Sequence, residues 1–187
     1  MTTDGASILH NDLVVDPKSK GLRHVAVTLQ GAKPQPKLKD AKPVVMDQKG
    51  CHYSPHVLGV MVGQPFKVLN SDGLLHNVHA LPKVNKQFNM AMPANRTEAE
   101  SVFAKAEGVF TVKCDVHPWM NAYVGVFSHP FFAVTKPDGA FSIPGLPAGS
   151  YEIEAWHEKL GSKVEKVTVA DGESKTVDFK FSAPSAN

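Results

Sequence analysis

Short runs of alternating or β-branched apolar residues recur along the whole chain. They fall at 24–29, 44–46, 57–62, 66–69, 76–79, 109–112, 122–127, 131–135, 140–143, 151–156, 163–169 and 175–181. Successive side chains of a strand point to opposite faces, so such runs bury one face and leave the other wet. Turn formers separate them: Gly31, Gly50, Gly63, Ser71-Asp72-Gly73, Pro137-Asp138-Gly139, Pro147-Ala148-Gly149 and Asp171-Gly172. One stretch, 95–105, suits a short helix, though its capping is poor. Many short strands with turns at this spacing predict an all-β protein of sandwich or barrel type.

The runs group into parts. Residues 1–41 hold a strand or two and then a Pro/Lys-rich linker over 32–43. Residues 42–128 hold about seven strands and most of the His, Met and Cys. Residues 129–182 hold four or five strands with dense turns, and 183–187 read as a frayed tail. No internal repeat is visible.

Composition narrows the function. The 187 residues carry a formal net charge of +2, too balanced for a chain whose main task is phosphate recognition. No run of about twenty apolar residues offers a membrane span. The start, Met-Thr-Thr-Asp-Gly, has neither the basic nor the apolar region of a signal peptide. No Ser-His-Asp pattern and no paired carboxylates in a motif context suggest catalysis, so a non-enzyme is expected.

The chemistry concentrates in the middle. Cys114-Asp115-Val116-His117-Pro118-Trp119-Met120 follows a strand directly and spaces its ligands as C-x2-H-x2-M. Thiolate, imidazole and thioether together suit copper cycling between Cu(I) and Cu(II). A second imidazole is available upstream, where a strand, the 71–73 turn and His76-Asn77-Val78 follow one another. The plain alternative for two cysteines is a Cys51–Cys114 disulfide, which would consume the thiolate. Cys51 is equally open to being an extra ligand or a buried thiol. His52, His56, His79 and His129 are candidates for a second or expanded site, although each alone reads better as structural. Met90 and Met92 suit either a copper-acquiring patch or loop packing. The His157-Glu158 pair suits either metal binding or ordinary turn hydrogen bonds.

On these residues, the 42–128 segment resembles the cupredoxins of the plastocyanin and azurin superfamily, its ligand loop being most like that of amicyanin. The resemblance implies an eight-stranded Greek-key sandwich with one copper ion at one end. It implies His76 and His117 as equatorial imidazoles, Cys114 as the thiolate and Met120 as the long axial ligand, with Asn77 bracing the loop. It further implies single-electron transfer, transient docking of redox partners near His117 over a rim of Leu74, Leu75, Val116, Pro118 and Trp119, and a periplasmic or otherwise extracytoplasmic location. Copper storage or delivery is the second function considered, and a copper-free sandwich the third.

The 132–153 segment, with its Asp138-Gly139 turn, Phe141-Ser142-Ile143 strand, Pro-x-Gly turn and Tyr151 strand, resembles the carboxypeptidase regulatory-like domain, a transthyretin-like sandwich. About fifty residues are too few for a complete one. The run at 21–29 resembles that family's first strand, so the 42–128 segment is expected to interrupt a module built from both ends of the chain.

Overall fold

The computed structural model describes residues 13–35 and 41–182, together with the backbone of a small pair, β1 (Thr2–Thr3) and β2 (Ala6–Ser7). The middle of the linker expected over 32–43 and the tail at 183–187 lie outside the described residues. The protein is all-β. Among the described residues no helix is long and apolar enough to cross a membrane.

Two sheets face each other across the larger core. One runs in the order β10 (Glu98–Val102), β7 (Pro65–Asn70), β4 (Val44–Gln48), β5 (Tyr53–Ser54). The other runs β6 (Val57–Met61), β12 (Asn121–Phe127), β11 (Glu107–Lys113), β8 (His76–Ala80), β9 (Phe88–Met92). Alternation decides which side chains enter: Phe66, Val68 and Asn70 of β7 are buried, while Pro65, Lys67 and Leu69 are only half-buried. Met46, Val60, Val78, Val112 and Val124 meet them from the other strands.

A third sheet has the order β13 (Phe132–Val134), β3 (Ala26–Gln30), β14 (Gly149–His157), β15 (Gly161–Val169). The N-terminal β3 therefore pairs antiparallel with two strands from the far end of the chain. Val25, Val27, Leu29, Ile153 and Ala155 form its core.

Two sequence expectations change, and one strand had not been expected. The helix expected at 95–105 is strand β10, paired along the edge of β7; Ala99 and Phe103 are buried at strand spacing, so packing overrides a weak helical pattern. The runs at 140–143 and 175–181 form no ladder, yet Phe141, Ile143, Val177, Phe179 and Phe181 pack on the core of the third sheet. Their alternation is met by burial alone. Strand β9 carried no clear signal, because Phe88 and Met90 are only half-buried and Asn89 and Ala91 are exposed.

β6 and β12 are apolar on both faces because both faces are covered. Their inner side chains enter the large core, and their outer faces meet the third sheet. There the Phe127 and Phe132 rings stack with centroids 4.5 Å apart. Gly59 makes room for them, since a Cβ on Gly59 would lie 2.4 Å from the Phe132 ring. We expect Gly59→Ala to cost about 1–3 kcal/mol through overpacking, read as a lower urea midpoint at an unchanged m-value. A wild-type midpoint would mean that the two units do not press together there.

Candidate metal centre

The ligand loop hangs between the ends of β11 and β12. Its backbone closes on itself: Cys114 N–H donates to Met120 O at 3.0 Å, and Met120 N–H donates to His117 O at 2.9 Å. This turn puts Cys114 and Met120 inward, 2% and 1% exposed, and leaves His117 half-buried. His76 opens β8 on the neighbouring strand and is fully buried.

Ligand atoms of His76, Cys114 and His117 lie within 4.8 Å of one another. His76 Nδ1 faces His117 Nδ1 at 3.0 Å, and Cys114 Sγ lies 3.8 Å from His117 Nδ1. Two imidazole nitrogens this close repel unless a proton or a cation sits between them. Met120 packs in the core cluster that contains Cys114. Two imidazoles and a buried thiol fit copper by donor chemistry. The structure thus brings His76, Cys114 and His117 together, and it buries Met120 in the same loop.

Outer hydrogen bonds orient this set. Asp72 Oδ2 accepts from His76 Nε2 at 2.9 Å, and a carboxylate can only accept, so the Nδ1 lone pair points at His117. Burial acts to raise the Asp72 pKa, but the N–H groups of Cys51 and Gly50 and the His76 ring outweigh it, leaving the carboxyl below its usual value. Asn77 Oδ1 accepts from the Cys114 thiol at 3.2 Å, from Asp115 N–H at 2.7 Å and from Val116 N–H at 3.4 Å. Asp115 is exposed and accepts from Lys113, His79, Asn89 and Asn77, the first of these doing most to hold its pKa far below the usual range. Trp119 Nε1 donates to Cys51 O at 3.2 Å, and Tyr53 Oη donates to Asn77 O at 2.5 Å. Asp72 was hidden in the sequence as an ordinary turn residue; its position four before His76 was the available signal.

The remaining candidates separate. Cys51 and Cys114 are both buried and are not joined by a disulfide, so that alternative is corrected. The Cys51 backbone N–H donates to Asp72 Oδ2 at 2.9 Å, which holds the residue on the turn. Among the described residues, His52, His56, His79 and His129 join no group of three mutually close metal ligands. His52 rests on Gly50 O, His79 on Asp115, and His129 on Leu29 O. His56 meets Glu158 where the third sheet touches the sandwich, with His24 packed edge-on against it at 5.0 Å. Met92 ends strand β9 and is fully buried, so it packs in the core as part of a strand rather than of a loop.

Residues 115–182 match the family model of the carboxypeptidase regulatory-like domain. The match begins inside the ligand loop and includes β12, which lies in the five-stranded sheet of the sandwich. Among solved structures, similar folds are found in a copper-containing nitrite reductase from Thermus scotoductus, 20% identical with a TM-score of 0.43 over 52% of this chain. This chain spans only 25% of that enzyme. Amicyanin in its Cu(I) form is 24% identical, with a TM-score of 0.41 over 54% of this chain and 98% of its own. A purple cupredoxin from Nitrosopumilus maritimus is 27% identical, with a TM-score of 0.38 over 47% of this chain and 100% of its own. No curated protein matches the chain.

Burial lowers the pKa of His117, and also those of His129 and His157, while His24 falls to about 4. The unfolded chain takes up protons on these rings near pH 6.5, whereas the folded chain resists. Stability is therefore complete above about pH 6.5 and is lost as the pH falls from there toward about 4. Urea midpoints of the metal-free protein should drop between about pH 7 and pH 5; a flat profile would contradict the burial of these imidazoles.

Proposed function

We propose that the chain binds one copper ion through His76, Cys114, His117 and Met120 and carries single electrons. The observation that supports this most is the convergence of two imidazoles and a buried thiol with no carboxylate among them. Bound copper would supply a one-electron couple. The residues do the rest. Asp72 holds the His76 tautomer, and Asn77 holds the loop amides beside Cys114. Trp119 ties the loop to Cys51 O, so the donors stay in place whichever charge the site carries. Full burial of His76 excludes water on that side, and burial of His117 lowers its pKa and so favours the neutral ring that can donate a lone pair.

His117 is the ligand nearest solvent, and the residue preceding each of the two histidines is apolar. Leu74, Leu75 and Val116 are 48%, 51% and 45% exposed. Three exposed apolar side chains at one end suit a small, short-lived contact with a redox partner. A copper-acquiring role gains nothing from Met92, which is core. The proposed division is a copper-binding unit at 42–128 inserted into a module of residues 1–41 and 129–182, supported by the pairing of β3 with β13 and β14. An extracytoplasmic location belongs to the same proposal and rests on the resemblance to the cupredoxins alone.

Reduced protein loaded with one equivalent of Cu(II) should show an intense thiolate-to-copper charge-transfer band. The band should be absent in Cys114→Ser and altered in position in Met120→Leu. A wild-type chain without the band would sink the reading. Leu75→Lys should keep the band while slowing electron self-exchange, measured by NMR line broadening, by about one to three decades. An unchanged rate would place the electron's exit elsewhere.

A further inference from the structure

His76 presents ligand groups on both sides of its ring. Its Nδ1 faces His117, while its Nε2 faces Asp72. The Cys51 thiol, an Asp72 carboxylate oxygen and a His76 ring nitrogen lie within 4.8 Å of one another, and the nitrogen in contact with Asp72 is Nε2. We propose that Cys51, Asp72 and His76 form a second, thiolate-containing metal site that takes a zinc-type divalent cation. The site does not depend on the copper reading.

Three observations converge on it. The first is the donor set. Thiolate, carboxylate and imidazole are the sulfur, oxygen and nitrogen ligands of zinc, and three protein ligands leave a fourth position for water. The thiolate and carboxylate together carry the two negative charges that balance a divalent ion. The hard carboxylate disfavours Cu(I), which distinguishes this group from the one around Cys114. The second is burial: Cys51 is 8% exposed, the Asp72 side chain 10% and His76 0%. The third is backbone conformation. Cys51 has φ 55°, a left-handed conformation uncommon for a residue with a Cβ, and it follows Gly50 at φ 64°. Asp72 holds it there by accepting from Gly50 N–H at 2.5 Å and Cys51 N–H at 2.9 Å. A turn alone would be served by Gly or Asn. Placing a cysteine there directs a thiol at the carboxylate that already touches His76.

Binding displaces the thiol proton of Cys51 to solvent and shifts the His76 ring proton from Nε2 to Nδ1, where His117 Nδ1 can accept it. A neutral imidazole has one lone-pair nitrogen, so His76 serves one side at a time. Filling both sides requires the imidazolate and releases one further proton.

The test uses the full chain with Cys114→Ser, in which Cys51 is the one remaining thiol of the two in the sequence. Cadmium(II) is the probe, because a cadmium–thiolate bond absorbs in the ultraviolet. One equivalent should produce the band, Zn(II) should compete it away, and Cys51→Ser in the same background should remove it. Asp72→Asn and His76→Gln should each weaken binding by about 10- to 100-fold. Cys114→Ala serves as a second background if Cys114→Ser does not fold, judged by circular dichroism. No band in a folded variant would overturn the proposal. So would a band indifferent to Asp72 and His76, which would reveal a solitary thiol. Cys51→Ser alone, loaded with Cu(II), keeps the two readings apart: it should retain the visible Cys114 band whether or not the second site exists.

Discussion

The Asn77 side chain joins strand β8 to the loop between β11 and β12, and the arrangement of the candidate donors depends on that joint. Its carbonyl oxygen accepts from the amides of Asp115 and Val116 and from the Cys114 thiol, while its amide nitrogen donates to Asn89 and Asp115. Asn77 is 7% exposed, so these bonds form where water does not compete and an unmade one would be costly. The joint sets the loop against the strand that carries His76. Ring against ring, His76 and His117 then sit 4.7 Å apart. Asp72 and Trp119 complete the frame from the 50–51 turn, one through its carboxylate and the other through its indole N–H.

The third sheet has a different task. It covers the outer faces of β6 and β12, which would otherwise expose apolar residues on strands that also line the large core. Contacts there combine ring stacking with a polar cluster. Phe127 and Phe132 stack, while Tyr123 packs between His56 and Trp156 with centroids 5.4 Å and 5.1 Å away. Beside them His56 pairs with the buried Glu158, and His157 is wholly enclosed. Tyr123 lies three residues beyond Met120, so the module's packing reaches the base of the ligand loop through β12. A rigid base restrains the loop, and a restrained loop keeps its donors together.

Much of the site was legible in one dimension. Cys114, His117 and Met120 share a single short loop, where spacing alone constrains geometry, and His76 follows a recognisable strand and turn. Asp72 was not legible, because its role depends on a carboxylate reaching a ring that opens a different element. The fate of Cys51 was open for the same reason: a disulfide, a ligand and a buried thiol look identical until the partner's position is known. The supposed helix at 95–105 failed because its pattern was weak and the free edge of β7 offered better hydrogen bonding. The runs at 140–143 and 175–181 satisfied their alternation by packing, which a pattern cannot distinguish from a ladder.

Alternation and turn residues determined by themselves that the chain is all-β, and the loop spacing named Cys114 and His117 as donor side chains that would stand close together. They report local preference, because period-2 burial and loop-length constraints act within a few residues. Tertiary structure decided which strands share a sheet, joining β3 to β13 and β14 across more than a hundred residues of intervening chain. It also decided that His76 has ligand groups on both sides of its ring. Those outcomes depend on which surfaces are left to be covered once the sandwich closes, and that is a property of the whole fold rather than of any segment.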